Sequence, residues 1–198
     1  KDSKNCPSCA SIIYKIDGCF AANTNIRMWD GSTKLVQDIS VGDTLIGDNG
    51  TPRKVLNIVS GTDSLFTVSG TDMNYTVNSK HMLVLKYFGE KNIPKEIKIT
   101  VDDYLQLSLT IQKQMFGFKS FHAVHYGFSN ITVTPLNIRA IYYGFTLDKN
   151  HLFIGTDNTV LSNCNQMWCS ICHTTFDWVT LRIETGKIHN PHYYEYMR

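Results

Sequence analysis

Between Ile26 and about Val84, short apolar runs alternate with polar punctuation of the turn-forming kind. The breaks are Asp30-Gly31, Gly42-Asp43, Asp48-Asn49-Gly50-Thr51-Pro52 and Ser69-Gly70. The runs between them, such as Lys54-Val55-Leu56-Asn57-Ile58-Val59 and Tyr75-Thr76-Val77, carry β-branched residues at strand length. The same pattern returns from Ile141 to Leu161, in Ile141-Tyr142-Tyr143, Phe145-Thr146-Leu147, Leu152-Phe153-Ile154 and Thr159-Val160-Leu161. Closely spaced strands with such turns predict a compact all-β domain. Residues 86–138 are less regular. A short helix is expected to open at Thr100, with Thr100 as N-cap and Asp102 and Asp103 in its first turn. The stretch through Phe116, His122 and His125 gives weak signals, and both histidines read as surface residues of a linker.

Charge excludes more than it suggests. The net charge is +2, divided as +1 in residues 1–18, +1 in 19–163 and zero in 164–198. No basic face stands out, so a nucleic-acid partner is not expected. The longest apolar runs are a few residues, far short of the roughly 20 a membrane helix needs. The opening Lys-Asp-Ser-Lys-Asn-Cys has no apolar core of a secretory signal.

The six cysteines change the picture. Four lie in two C-x2-C pairs, Cys6/Cys9 and Cys169/Cys172, and none lies between Cys19 and Cys164. Tight pairs favour zinc in a reducing compartment, with a disulfide framework as the alternative. If residues 19–163 are removed, the ends join into C-x2-C-x9-C-x4-C-x2-C. The segment removed begins with a nucleophile, Cys19, and ends with Asn163; a second nucleophile, Cys164, follows. A nucleophile at each junction and an asparagine before the second are what protein splicing requires.

Four blocks in order make the middle segment resemble an intein. The first is Cys19-Phe20-Ala21-Ala22-Asn23-Thr24-Asn25-Ile26, followed by Asp30-Gly31-Ser32 and Asp38-Ile39-Ser40-Val41-Gly42-Asp43. The second, Asn78-Ser79-Lys80-His81-Met82-Leu83, sits where inteins carry T-x-x-H. The third is Tyr143-Gly144-Phe145-Thr146-Leu147-Asp148-Lys149-Asn150-His151-Leu152-Phe153, and Thr159-Val160-Leu161-Ser162-Asn163-Cys164 closes the set. The resemblance implies the horseshoe-shaped all-β HINT fold shared with Hedgehog autoprocessing domains. It implies three parts: 1–18 and 164–198 as flanking extein halves of a zinc module, and 19–163 as the splicing domain. Sixty-one residues separate His81 from Tyr143 and no homing-nuclease motif is present, so a mini-intein without endonuclease activity is expected.

The resemblance also assigns roles. Cys19 would attack the Gly18 carbonyl, and His81 would hydrogen-bond and protonate the leaving nitrogen. Asn78 would help hold the oxyanion. Cys164 would take over the acyl group. Asn163 would cyclise with His151 assisting, and Gly18 would finally be joined to Cys164. No cofactor is needed for these steps. Three departures stand out: Asn78 for threonine, Gly144 for a frequent aspartate, and Ser162 for the histidine that usually precedes the terminal asparagine. The last predicts slow asparagine cyclisation. Asp148 reads as a turn residue that binds backbone.

The joined flanks, 53 residues, resemble the IBR/RING2-type zinc modules of RBR ubiquitin ligases. The matching residues are Cys6-Pro7-Ser8-Cys9, Ile13, Lys15, Gly18, Cys164-Asn165-Gln166-Met167-Trp168-Cys169, Cys172, Phe176 and Trp178. Cys6, Cys9, Cys169 and Cys172 would hold zinc, and Cys164 matches the ubiquitin-accepting cysteine. The cysteines of a second zinc site are missing around Phe176–Thr180, so a structural module without ligase activity stands as an equal alternative. The expected partners are the chain's own flanks in cis and, for a ligase host, the ubiquitin pathway. The host implies an intracellular setting, cytoplasmic or nuclear, and the resemblance suggests a large DNA virus as source. Two readings compete with splicing: an autoprocessing domain that cleaves without ligating, and a zinc adaptor with an inert β insertion.

Overall fold

The computed structural model describes residues 3–14, 19–89, 93–163, 166–169, 171–178, 181–183 and 185. The described chain is mostly β, as its alternating runs predict. What the sequence reads as several short strands is in two places one long strand. Pro52–Gly70 runs for 19 residues and Thr132–Leu147 for 16. They pair antiparallel from Thr132 opposite Ser69 to Leu147 opposite Val55, with irregularities at Pro135/Arg139 and Thr146/Leu147. Extra residues at such points bend a ribbon and increase its twist, which lets one pair of strands follow a curved path.

The other partners close this ribbon into a ring. Met73–Asn78 pairs with Pro52–Gly70, and the two-residue strand Phe20–Ala21 fits between Met73–Asn78 and Thr132–Leu147. Phe20 stands opposite Val77 on one side and Tyr143 on the other. The segment just after Cys19 is therefore pinned on both edges. Its phenyl ring packs edge-on to Phe153 at 5.9 Å and lies 6.4 Å from Phe145, which meets Phe153 at 5.3 Å. The main core surrounds this trio, with Ile26, Leu45, Val55, Val68, Val77, Leu83 and Leu147 buried.

Residues 86–138 are more regular than expected. Pro94–Thr100, Met82–Phe88, Met115–Phe121 and Val124–Asn130 form a four-stranded antiparallel sheet in that order. The helix expected at Thr100 is present over Val101–Gln106. The Thr100 hydroxyl accepts the Asp103 N–H at 3.1 Å, an N-cap bond that satisfies an otherwise orphan donor. His122 lies exposed in the turn between two strands. His125 is instead half-buried on a strand, with its ring 4.7 Å from that of Phe118. Among the described residues no helix is long and apolar enough to cross a membrane.

Two smaller hairpins stand outside the ring. Ser3–Asn5 pairs with Ile12–Tyr14, and Gln166–Trp168 with Thr175–Asp177. They share an apolar cluster of Cys6, Met167, Cys169, Phe176 and Trp178, against which Ile13 and Cys172 pack. Segments from opposite ends of the sequence thus build one small module.

Candidate active site and cysteine cluster

Cys19 is fully buried. Its thiol occupies the space a side chain at residue 144 would need: a Cβ on Gly144 would come 2.2 Å from the Cys19 sulfur. Gly144 lies inside the long strand Thr132–Leu147, where a glycine weakens a strand and commonly marks a close approach. Here the approaching group is the candidate nucleophile.

The backbone of Cys19 is held by Asn78 in both directions. The Cys19 N–H donates to Asn78 Oδ1 at 2.8 Å, and the Asn78 N–H donates to the Cys19 carbonyl at 3.0 Å. Asn78 is buried at the end of strand Met73–Asn78. Its Nδ2 lies 3.5 Å from Asp63 Oδ2, which also accepts the Ser79 hydroxyl at 3.2 Å. Asp63 thereby orients the amide so that its oxygen faces Cys19. Its side-chain oxygen meets the nitrogen of the Gly18–Cys19 bond, while the Gly18 carbonyl, where the expected oxyanion would form, lies outside the described residues.

His81 is buried with neither ring nitrogen hydrogen-bonded among the described residues. Its ring packs edge-on to Phe20 at 4.8 Å and to Tyr75 at 6.2 Å. Burial among these aromatics pushes its pKa down to about 3, so the imidazole is neutral at physiological pH. Among the described residues the Cys19 N–H is held by Asn78, and His81 packs against Phe20, the residue that follows Cys19.

The far end of the insertion is tied to the same aromatic trio. Leu152–Ile154 pairs with Val160–Ser162, placing Phe153 opposite Leu161. The Asn163 N–H donates to the His151 carbonyl at 3.0 Å. His151 adopts a left-handed φ of 61°, and its Nδ1 donates to the Leu147 carbonyl at 2.6 Å. That bond fixes the proton on Nδ1 and leaves Nε2 as a bare acceptor. Asn163 is buried with its side-chain Nδ2 unpartnered among the described residues, as is the Ser162 hydroxyl.

Sequence reasoning missed the residues that hold these groups in place. Arg53 is buried and donates to Asn150 Oδ1 and Asp48 Oδ1, both at 3.0 Å, and to Thr51 Oγ1 at 2.6 Å. Asn150 Oδ1 also accepts the Leu152 N–H at 3.2 Å, so Arg53 steadies the turn that presents His151. Asp148 does bind backbone as expected, accepting the Lys54 N–H at 2.9 Å. Asp63 and Arg53 carry no local signature, and only contacts distant in sequence reveal them. Gly18 and Cys164 lie outside the described residues, as do Lys15, Asn165 and the aromatic tail.

The four remaining site cysteines converge. The sulfurs of Cys6, Cys9, Cys169 and Cys172 all lie within 4.8 Å of one another. Cys6 and Cys172 are 3.5 Å apart and Cys9 and Cys169 3.7 Å, all as free thiols. A tetrahedral ion with Zn–S bonds of about 2.3 Å requires sulfurs roughly 3.8 Å apart, so the donor set and its spacing fit zinc. The two halves share one construction. Cys6 N–H donates to Ser11 O and Ala10 N–H to Cys6 O; Cys169 N–H donates to Thr174 O and His173 N–H to Cys169 O. Ala10 and His173 both turn left-handed, at φ 60° and 61°. The Thr174 hydroxyl beside Cys172 draws that thiol down to about 5, while burial raises Cys169 to about 11.

Comparison with known proteins agrees with this geometry. A family described as Hom_end-associated Hint matches residues 19–110, beginning at Cys19. The catalytic polypeptide of a V-type proton ATPase from Candida tropicalis is 40% identical over 57 residues, which are 29% of this chain and 5% of that protein. Among solved structures, the gp41-1 intein aligns with TM-score 0.53 at 14% identity, over 74% of this chain and 98% of its own. A DnaB intein from Synechocystis aligns with TM-score 0.52 at 11% identity, over 74% and 98%. A bacterial intein-like domain from Clostridium thermocellum aligns with TM-score 0.50 at 14% identity, over 73% and 98%. Residues 19–110 thus match the Hint family model, the mostly β fold is that of intein Hint structures, and the two terminal segments bring four cysteines together.

Proposed function

We propose that this chain splices itself, excising residues 19–163 and joining Gly18 to Cys164. The observation that carries the reading is the pairing at the upstream junction: the Cys19 thiol sits in the gap left by Gly144 while Asn78 grips the Cys19 N–H.

The first step is an acyl shift. The Cys19 sulfur attacks the Gly18 carbonyl carbon, a C–S bond forms, and the C–N bond breaks. The thiol proton ends on the Cys19 nitrogen. Amide resonance, with its rotation barrier of about 18–20 kcal/mol, opposes this. In the tetrahedral intermediate the nitrogen carries the extra proton and a positive charge, so its hydrogen bond to Asn78 Oδ1 is charge-assisted and roughly twice as strong, and that contact favours the intermediate over the starting amide until the C–N bond breaks to leave a neutral amine. Neutral His81, whose ring nitrogens have no hydrogen-bond partner among the described residues, carries the proton between sulfur and nitrogen.

Cys164 then attacks the thioester carbonyl; its proton passes to the departing Cys19 sulfur. Asn163 Nδ2 attacks its own carbonyl carbon, closing a succinimide and releasing the Cys164 nitrogen as an amine. His151 Nε2 accepts the amide proton in this step and returns it to the leaving nitrogen. Last, the Cys164 amine attacks its own thioester, giving a normal peptide bond and a free thiol. Every proton and bond is supplied by the chain.

Residues 82–138 are read as part of the splicing domain, without endonuclease activity. The product is read as a cysteine-rich module of IBR/RING2 type. Cleavage without ligation is the competing reading, and Asn163 followed by Cys164 favours ligation over it. Intact mass after expression decides: splicing gives residues 19–163 and a 53-residue joined product. Unjoined ends mean cleavage alone, and an unchanged chain means an inert insertion. Cys19→Ala is expected to leave the precursor whole.

A further inference from the structure

We infer that the cysteine cluster takes up one zinc ion in the unspliced precursor, and that this ion staples the two flanks together while the bonds between them are broken and remade. The staple role rests on the splicing reading; the metal site does not.

The site is formed with the insertion in place. Cys6 and Cys9 come from upstream of residue 19 and Cys169 and Cys172 from downstream of residue 163, yet their sulfurs already lie within 4.8 Å. The matching backbone bonds of the two knuckles are made as well, each with its left-handed residue after the second cysteine. The flanks are also joined by packing. Phe176 and Trp178 are buried against Cys6 and Ile13, and the Lys4 ammonium donates to the Trp178 carbonyl at 2.7 Å while lying 5.3 Å from its ring centre. Removal of the insertion is not needed to complete the donor set.

Geometry gives the ion a second task. Four residues separate the end of strand Ile12–Tyr14 from Cys19, and two separate Asn163 from Gln166–Trp168. The five and three Cα–Cα steps that link these residues span at most about 18 Å and 11 Å. The zinc-bound hairpins are thus leashed closely to both junctions. After the acyl shift, residues 1–18 hang on a single thioester. A tetrathiolate ion gives them a second attachment, with the high effective concentration of an intramolecular link. Should the thioester be lost, the upstream flank remains in place instead of diffusing away. Binding releases thiol protons to solvent, since thiolates are the ligands.

The test begins with a splice-blocked precursor, Cys19→Ala with Asn163→Ala, titrated with Co(II) and with Zn(II). One equivalent is expected to bind, with the charge-transfer and d–d bands of a tetrahedral tetrathiolate, and Cys6→Ser in that background is expected to lose them. No such binding, binding only in the joined product, or an unaltered spectrum with Cys6→Ser would overturn the inference. The staple is read in a precursor carrying both Asn163→Ala and Cys164→Ala, cleaved at Gly18 by an added thiol, which becomes the new acyl partner as the Cys19 sulfur leaves. With zinc, residues 1–18 are expected to stay with the remainder through gel filtration, at least about tenfold more than with a chelator. Equal release in both would sink the staple. If the blocked precursor binds metal but the native chain never splices, the splicing reading fails and the metal site stands.

Discussion

Gly144 and Cys19 share one space: the thiol of one lies where the side chain of the other would begin. The position that many inteins fill with aspartate is here emptied in favour of the nucleophile. Gly144→Ala forces the thiol or the Val59 side chain, 3.3 Å from the added carbon, to shift. The expected outcome is a first step slowed by about tenfold or more, as misplacement of a reacting group by about an ångström does. Thiol-induced cleavage at Gly18, timed on a gel, reads this directly, and a rate equal to the parent's would refute the assignment.

Asn78→Ala removes the acceptor of the Cys19 N–H. The charge-assisted bond lost from the protonated intermediate is worth about 1.5–3 kcal/mol, and each 1.4 kcal/mol lost from the transition state is about tenfold in rate. We expect the acyl shift to slow by roughly tenfold to a hundredfold. Asp63→Asn should give a smaller effect in the same direction, because it only frees the Asn78 amide to turn. A slower shift in Asp63→Asn than in Asn78→Ala would mean that Asp63 acts in another way.

His81 makes folding pH-dependent. Its folded pKa, about 3, lies below the unfolded value of about 6.5. Between these values the unfolded chain binds the proton and the folded one does not, so stability falls as pH drops from about 6.5 toward 3 and is unaffected above. His81→Phe should flatten this dependence, with a slope reduced by up to one proton. Urea unfolding at pH 7 and pH 5 measures it, best in a Cys19→Ala background that cannot react.

His151 is expected to matter only at the second junction. His151→Asn keeps a residue that tolerates the left-handed φ of 61° but removes Nε2. The acyl shift should proceed at its usual rate while Asn163 cyclisation slows by about 10²-fold, the lower range for loss of a general base. The branched intermediate, with residues 1–18 on Cys164, should then accumulate in denaturing mass spectra. Accumulation of intact precursor instead would place His151 in the first step.

Much of this was legible in the sequence, for identifiable reasons. Cys19, Asn163 and the four outer cysteines announce themselves by chemistry and spacing, and Thr100 by the cap-and-acid signature of a helix start. The sheet of residues 82–130 was not legible. Its hairpin between Phe121 and Val124 turns through His122 and Ala123, at φ 47° and 67°. A turn with two positive φ values normally advertises itself as Asn-Gly, and here it is written in residues that carry no such signal. The alternation of Ile97 and Ile99 with Lys98 in Pro94–Thr100 was a fair clue to a strand. The long ribbon was hidden differently: Gly144 looks like a break between two strands, but it is the place where one strand gives way to a thiol.

The pinning of Phe20 and Leu161 to the same residue, Phe153, has a consequence for the cysteine module at the ends of the chain. To the two cysteine knuckles, residues 19–163 are a loop, and the entropy of closing a loop depends on the gap its ends must bridge and on the freedom of the chain between them. A folded insert whose entrance and exit meet at one aromatic residue has little freedom left to lose. The two cysteine-bearing segments can therefore fold across it much as they would across a turn of a few residues.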